Sequence, residues 1–386
     1  MTENQAKYWL DKIRQLPLKK NIRIMNVCGG HERSITMAGL RSALPDNIEL
    51  IPGPGCPVCI CPEEDIHQAI QIALNEDVIL LAFGDMLRVP VNGPKKDPRS
   101  LEQAKAIGAD IRPIASPTEA VKIALESPDK SVVFFAAGFE TTSSPVAAML
   151  AEGVPDNLTL LLSGRLTWPA VAMLLESELE SELESDADSD VDLNSATFDC
   201  LIAPGHVATV MGADEWKFVV EKYTLPTAVA GFTAESLLAA FYSVLRQLLD
   251  ENIFLDNCYP QLVTEKGNLV AQKHLYEVFD VVDANWRGIG IIPSSGYAIN
   301  EKYASRNASL KYPQYRDLAR KRAGKMPPGC DCAKVVLGKI APDQCRLYGK
   351  ACTPKLPIGP CMVSDEGACR LWWSAGVRER RCNISA

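Results

Sequence analysis

The sequence predicts an α/β protein: two Rossmann-like domains with parallel sheets facing a shared cleft, and a smaller cysteine-rich unit after them. Three observations predict it. Short apolar runs rich in Val, Ile, Leu and Phe alternate with helix-like segments through the first two thirds of the 386 residues. That is the pattern of strands buried on both faces and joined by helical crossovers. Each distinctive motif begins just after one of these runs, and open parallel sheets bind ligands at the carboxyl ends of their strands. Finally, the 13 cysteines divide into an early and a late group, with only Cys200 and Cys258 between them.

In chain order, strands are expected at 22–27, 48–51, 78–83, 132–137, 158–162, 200–203 and 227–230. Helices are expected at 63–74, 101–106, 117–125 and 234–248, where apolar residues recur at helical spacing. The length suits two or three domains. The expected division is a first α/β domain over 1–127, a second over 128–255, and a C-terminal region over 256–386. Beyond about residue 255 the alternation fades, and a tail rich in Cys, Pro and Gly follows residue 326.

Composition excludes several classes. No apolar stretch is long enough to span a membrane, and the N-terminus lacks a signal-peptide core, so a cytoplasmic protein is expected. The net charge of −8 arises in one place: residues 176–192 carry nine acids and no base, which leaves the remainder near neutral. A near-neutral body argues against a broad nucleic-acid surface. The acidic run reads as an insertion, a solvated loop or helix extension. Thirteen cysteines without export signals point to metal or redox chemistry more than to a disulfide framework.

The motifs narrow the chemistry. Cys28 ends a strand and enters Gly-Gly, with His31 and Glu32 close behind. Glycines permit close approach, and an imidazole or a helix N-terminus beside the thiol would lower its pKa. Cys28 is therefore a candidate nucleophile or soft-metal ligand; the plain alternative is a core cysteine beside a core histidine. Cys56 and Cys59 form a C-x-x-C after Gly-Pro-Gly, expected as a turn. That spacing suits a disulfide, a redox couple, or half a metal site completed by Cys61 or Cys28. Glu140 begins a helix with Thr141 and Thr142, either of which would serve as its N-cap. His206 follows a strand end at Pro-Gly. Asp85 and Arg88 read as a carboxylate–guanidinium pair.

Six late thiols, Cys330, Cys332, Cys345, Cys352, Cys361 and Cys369, fall within 40 residues and have no histidine near. All-thiolate ligation means zinc or an iron–sulfur cluster. Spare thiols beyond four favour iron–sulfur. Cys382 falls outside this series.

Six of these motifs, with the tail, match a known family. CGGHE (28–32), GPGCPVC (53–59), FGDMLRVP (83–90), GFETT (138–142), PGHV (204–207), WRGIG (286–290) and CTPKLPIGPCMVSDEGAC (352–369) together resemble the HypD hydrogenase maturation family, in order and over nearly the whole chain. The resemblance implies a scaffold for the Fe(CN)2CO moiety of nickel–iron hydrogenases, working with the small chaperone HypC. HypE, with HypF, delivers the cyanide. It implies that Cys28 holds iron, that Cys56 and Cys59 form a redox pair, and that late cysteines carry a 4Fe–4S cluster. Cys332, Cys345, Cys352 and Cys369 are the favoured cluster ligands, with Cys330 and Cys361 in reserve. His31, Glu140 and His206 become proton-handling or supporting groups, and Cys28, Cys56 and Cys59 the metal-side thiols.

The chain departs from the family pattern at Arg33, where a second histidine is expected, along 91–99, and at Thr233, where a carboxylate is usual. Two other readings stay open. One is an iron–sulfur-dependent thiol–disulfide oxidoreductase with no iron-carrier role, and the other is a zinc-stabilised interaction protein.

Overall fold

A computed structural model describes residues 2–94, 96–184, 198–320 and 326–378. Among these, the strands are β1 (Ile22–Cys28), β2 (Ile48–Gly55), β3 (Val78–Phe83), β4 (Ile111–Ile114), β5 (Ser131–Gly138), β6 (Leu158–Arg165), β7 (Cys200–Pro204), β8 (Thr227–Ala230), β9 (Leu255–Asn257), β10 (Phe279–Trp286) and β11 (Gly290–Ile299). They form two sheets, ordered β2-β1-β7-β8-β9 and β10-β11-β6-β5-β3-β4. The first is parallel throughout. The second has a parallel core from β6 to β4, extended by the antiparallel β10–β11 hairpin.

Both faces of the parallel strands are buried, as their continuous apolar sequences require. Along β1, Ile22 and Ile24 point to the helix Ala234–Asp250, where Leu237 and Phe241 pack. Met25 and Val27 point the other way, toward Val171, Leu174 and Trp216. The period of two divides β3 likewise, Leu80 and Ala82 into one core and Ile79 and Leu81 into another.

The expected domain boundary does not separate the sheets. The first sheet takes Ile22–Gly55 and then Cys200–Asn257, while the second takes Val78–Arg165 and then Phe279–Ile299. A division at 127/128 would fall between β4 and β5, inside the second sheet. The region from 256 onward likewise supplies β9 in part, β10 and β11 rather than standing apart. Chain order misled because strands neighbouring in sequence here join different sheets.

The expected helices form at Glu63–Asn75, Leu101–Ala106, Pro117–Glu126 and Ala234–Asp250. Thr233 caps the last, its Oγ1 accepting from Ser236 N at 3.2 Å. The expected turn at Gly-Pro-Gly is instead extended chain at the end of β2. A Cβ on Gly55 would lie 1.6 Å from the Val27 carbonyl oxygen, so β2 can pass β1 this closely only with glycine there. The pairing register shifts at the same point.

The helix Thr167–Glu184 carries the first half of the acidic run, and 185–192 lie outside the described residues, as does Cys382. Among the described residues no helix is long and apolar enough to cross a membrane.

Candidate thiol site

Cys28 is both the last residue of β1 and the N-cap of the helix Gly29–Met37. Its side chain makes no capping hydrogen bond, but the nearby backbone N–H groups of His31 and Gly30 act to lower its pKa. Those donors favour the thiolate, as the sequence suggested, but burial outweighs them. Burial first, and Glu366 second, push the Cys28 thiol up to about 12. The expected activation by imidazole also fails. His31 is fully buried, its Nε2 lies 2.9 Å from the Ala230 carbonyl oxygen, and burial lowers its pKa to about 4. The ring is therefore neutral, donates from Nε2, and leaves Nδ1 without a partner.

The strand ends of both sheets converge on Cys28. A cavity of about 120 Å³ is lined by Cys28, Gly55, Phe139, Thr142, Thr167, His206 and Glu366, among others. His206 stacks on Phe232 with ring centroids 3.6 Å apart, and His31 lies 4.9 Å from the same ring. Burial lowers the His206 pKa.

Glu140 does not enter the cavity directly. Thr167, which does, donates from N to Glu140 Oε1 at 2.6 Å and from Oγ1 to Oε2 at 2.8 Å. Glu140 is fully buried, and burial raises its pKa to about 7 against the lowering effect of those bonds. The expected threonine N-cap is absent: Phe139 occupies that position, and Thr141 and Thr142 face the cavity.

Cys56 and Cys59 are joined in a disulfide across a single helical turn, with Cys56 Sγ accepting from Cys59 N at 3.2 Å. A narrow crevice of about 10 Å³, room for one water, is bounded by Cys28, Cys56, Cys59, Cys361 and Glu366. Cys61 does not complete this group. It turns into another core, its Sγ 3.4 Å from Ser163 Oγ, with burial pushing its thiol up to about 12.

The six late cysteines share one packed cluster with Cys56 and Cys59, walled by Trp286, Val335 and Met362. Cys330 and Cys332 sulfurs lie 3.2 Å apart, and Cys361 Sγ accepts from Cys369 N at 3.3 Å. Hydrogen bonds from the Cys332 and Cys369 thiols hold Cys361 well below the ordinary thiol range. Cys352 Sγ accepts from Ile358 N. Even so, among the described residues no three His, Cys, Asp or Glu side chains stand together as a set able to hold a metal ion. The donor set is all thiol with apolar walls, with backbone N–H groups on the Cys352 and Cys361 sulfurs, which is the type of ligand an all-thiolate group takes.

One sequence reading is corrected by how this tail packs. Asp85 and Arg88 do not pair: Asp85 accepts from Asp365 N and Arg88 donates to Pro354 O, so both fasten the tail to the body. Glu32 is held by Arg41, at 2.7 and 2.6 Å, and by Trp372 Nε1 at 3.2 Å. Glu366 and Thr167 were missed altogether. Glu366 lies among the cysteines that dominate the chemical signal of the tail, and the end of β6 carries no motif that points to Thr167.

A buried thiol at converging strand ends, with a disulfide and a thiol cluster beside it, defines an α/β protein of cysteine-centred chemistry. The family model HypD, described as "Hydrogenase formation hypA family", matches residues 4–376. The hydrogenase maturation factor HypD2 of Bradyrhizobium diazoefficiens is 36% identical over 362 residues, 93% of this chain and 90% of that protein. The HypD factors of Azotobacter vinelandii and Escherichia coli are each 36% identical, covering 95% and 94% of this chain and 92% and 91% of their own lengths. The chain belongs to the HypD family of hydrogenase maturation factors.

Proposed function

We propose that the chain is a scaffold on which the Fe(CN)2CO moiety of nickel–iron hydrogenases is assembled. In this reading it works in the cytoplasm with a HypC-type chaperone, and HypE, supported by HypF, delivers the cyanide. One observation carries the proposal: Cys28, the Cys56–Cys59 disulfide and Cys361 bound a single crevice. Ten free cysteines among the described residues accord with a reducing compartment.

Cys28 holds the cargo iron. Buried as it is, the thiol keeps its proton until a cation arrives, whose charge then favours the thiolate. The N–H groups of Gly30 and His31 support that charge. Iron bearing strong-field diatomic ligands favours a soft sulfur donor. Cys56 and Cys59 exchange two electrons and two protons between disulfide and dithiol forms. Glu140, with a pKa near 7, is the carboxyl beside the cleft that can hold or release a proton near neutrality. A 4Fe–4S cluster held by Cys332, Cys345, Cys352 and Cys369, with Cys330 and Cys361 in reserve, would supply the electrons.

The disulfide itself favours a second reading, a cluster-dependent thiol–disulfide oxidoreductase that carries no iron at Cys28. Infrared spectra separate the two. Protein co-produced with its partners should show cyanide and carbon monoxide bands, and Cys28→Ser should lose them while keeping about four irons and four sulfides per chain. Diatomic bands persisting in Cys28→Ser would remove Cys28 as the carrier.

A further inference from the structure

Asn26 interrupts an otherwise apolar stretch of strand. Asn is disfavoured within strands, yet it stands between Met25 and Val27 in the buried part of β1. The residue is 1% exposed, and its Nδ2 and Oδ1 are both buried without a hydrogen-bond partner. An amide left in that state is costly, and buried polar groups are nearly always paired with protein or with water. A side chain that breaks the local pattern and finds no partner within the chain points to a ligand.

The strand sets where this amide faces. Side chains two residues apart leave the same face, so Asn26 stands beside Cys28, about 6–7 Å before it along β1. The pairing of β1 with β2 shifts between these two residues, with Asn26 opposite Pro52 and Cys28 opposite Gly55. Both border the crevice of about 10 Å³ that reaches the Cys56–Cys59 disulfide. Among the described side chains bordering it, Asn26 alone carries N–H groups. The Glu32 oxygens there are already taken by Arg41 and Trp372, and Glu366 contributes only oxygen.

A space of that size admits a single water-sized atom. We propose that the crevice is a subsite for the terminal nitrogen of an iron-bound cyanide, held by a hydrogen bond from Asn26 Nδ2 while the iron rests on Cys28. Cys28 also borders the 120 Å³ cavity, which leaves room for the other ligands of the iron. Cyanide bound through carbon turns a lone pair and negative charge outward on nitrogen, and a charged acceptor makes a strong hydrogen bond. Carbon monoxide presents a weakly accepting oxygen and leaves the amide unanswered. The crevice thus separates the two diatomics by acceptor strength, as a site built to hydrogen-bond rejects an analogue that cannot. In the iron-free chain one water fills the place and gives way to the cyanide nitrogen, which reproduces its hydrogen bond. The subsite rests on the scaffold function proposed above.

Infrared spectra of the full chain, co-produced with its partners, test the subsite. In Asn26→Leu, which is close in shape and has no donor, at least one cyanide band should move from its wild-type position. Asn26→Asp keeps the shape more closely, lacks the N–H groups, and should move the band as well. Loss of the cyanide bands with the carbon monoxide band retained would equally support the subsite. Cyanide bands at their wild-type positions in both variants overturn the inference while the assignment of Cys28 stands. Loss of every band from a folded variant would make Asn26 a requirement for the iron itself and overturn the subsite. Wild-type protein without any diatomic band overturns scaffold and subsite together. Should neither variant fold, a crystal structure of the iron-free wild-type chain decides. One ordered water within hydrogen-bond distance of the Asn26 amide is expected there, and an amide satisfied by the chain's own groups overturns the inference.

Discussion

Cys28 and Glu366 stand together in both openings of the site, lining the 120 Å³ cavity and the crevice toward the Cys56–Cys59 disulfide. A Cβ on Gly29 would come within 2.7 Å of the Glu366 Cβ, so the tail is pressed against the start of the Cys28 helix. The carboxylate adds to the effect of burial in keeping the thiol protonated.

Glu366→Gln should therefore move the Cys28 titration to lower pH, but only partly, because burial is the larger cause. The rate of Cys28 alkylation against pH, read by peptide mass spectrometry, measures this directly. At a fixed pH below the midpoint, a shift of one pKa unit appears as an about tenfold faster reaction. An unchanged profile would show that Glu366 acts on Cys28 through packing and not through charge.

Gly55 and Gly84 make a contrasting pair on the fold. A Cβ at Gly55 would collide with the Val27 carbonyl, which belongs to the strand that carries Cys28, whereas Gly84 has nothing within 4 Å. Gly55→Ala should cost about 3 kcal/mol or more, since backbone must move and neighbouring chain cannot yield cheaply. Gly84→Ala should stay within about 0.5 kcal/mol of the wild type, as surface changes usually do. Denaturant midpoints at constant slope compare the two. Equal losses would contradict the close passage of β2 past Cys28.

These residues also show what the sequence could and could not reveal. Strands buried on both faces announce themselves by continuous apolar runs, so β1, β3 and β5 to β8 were legible along with the motifs at their ends. β4 was not, because four residues containing Pro113 and the exposed Arg112 carry no periodic signal. The β10–β11 hairpin was hidden by its half-exposed faces, with Val281, Val282 and Ile291 open to solvent. At the site, residue types were readable and their protonation was not. Cys28 with His31 nearby suggests an activated thiol, yet whether the imidazole is charged depends on burial, and burial arises only when β8 offers the Ala230 carbonyl. Nor could local spacing reveal that a tail more than 300 residues away would bring Glu366 to the same cavity.

The buried neutral state of His31 has a consequence for stability. In the unfolded chain histidine titrates near its ordinary pKa of about 6.5, whereas in the fold burial lowers it to about 4. Between those values the unfolded state binds a proton that the folded state refuses, so the stability His31 contributes is complete above about pH 6.5 and is lost as pH falls toward 4. From pH 7 to pH 5 that loss amounts to about 2 kcal/mol by the linkage relation. His31→Gln retains a side-chain N–H for the Ala230 carbonyl but has no ring nitrogen to titrate. It should be less stable than the wild type at pH 7, and it should lose about 2 kcal/mol less between pH 7 and pH 5. Urea unfolding of both proteins at the two pH values gives the comparison, the other histidines cancelling between them. Parallel losses in the two proteins would mean that His31 carries its proton in the folded state, and the neutral, Nε2-donating imidazole beside Cys28 would have to be abandoned.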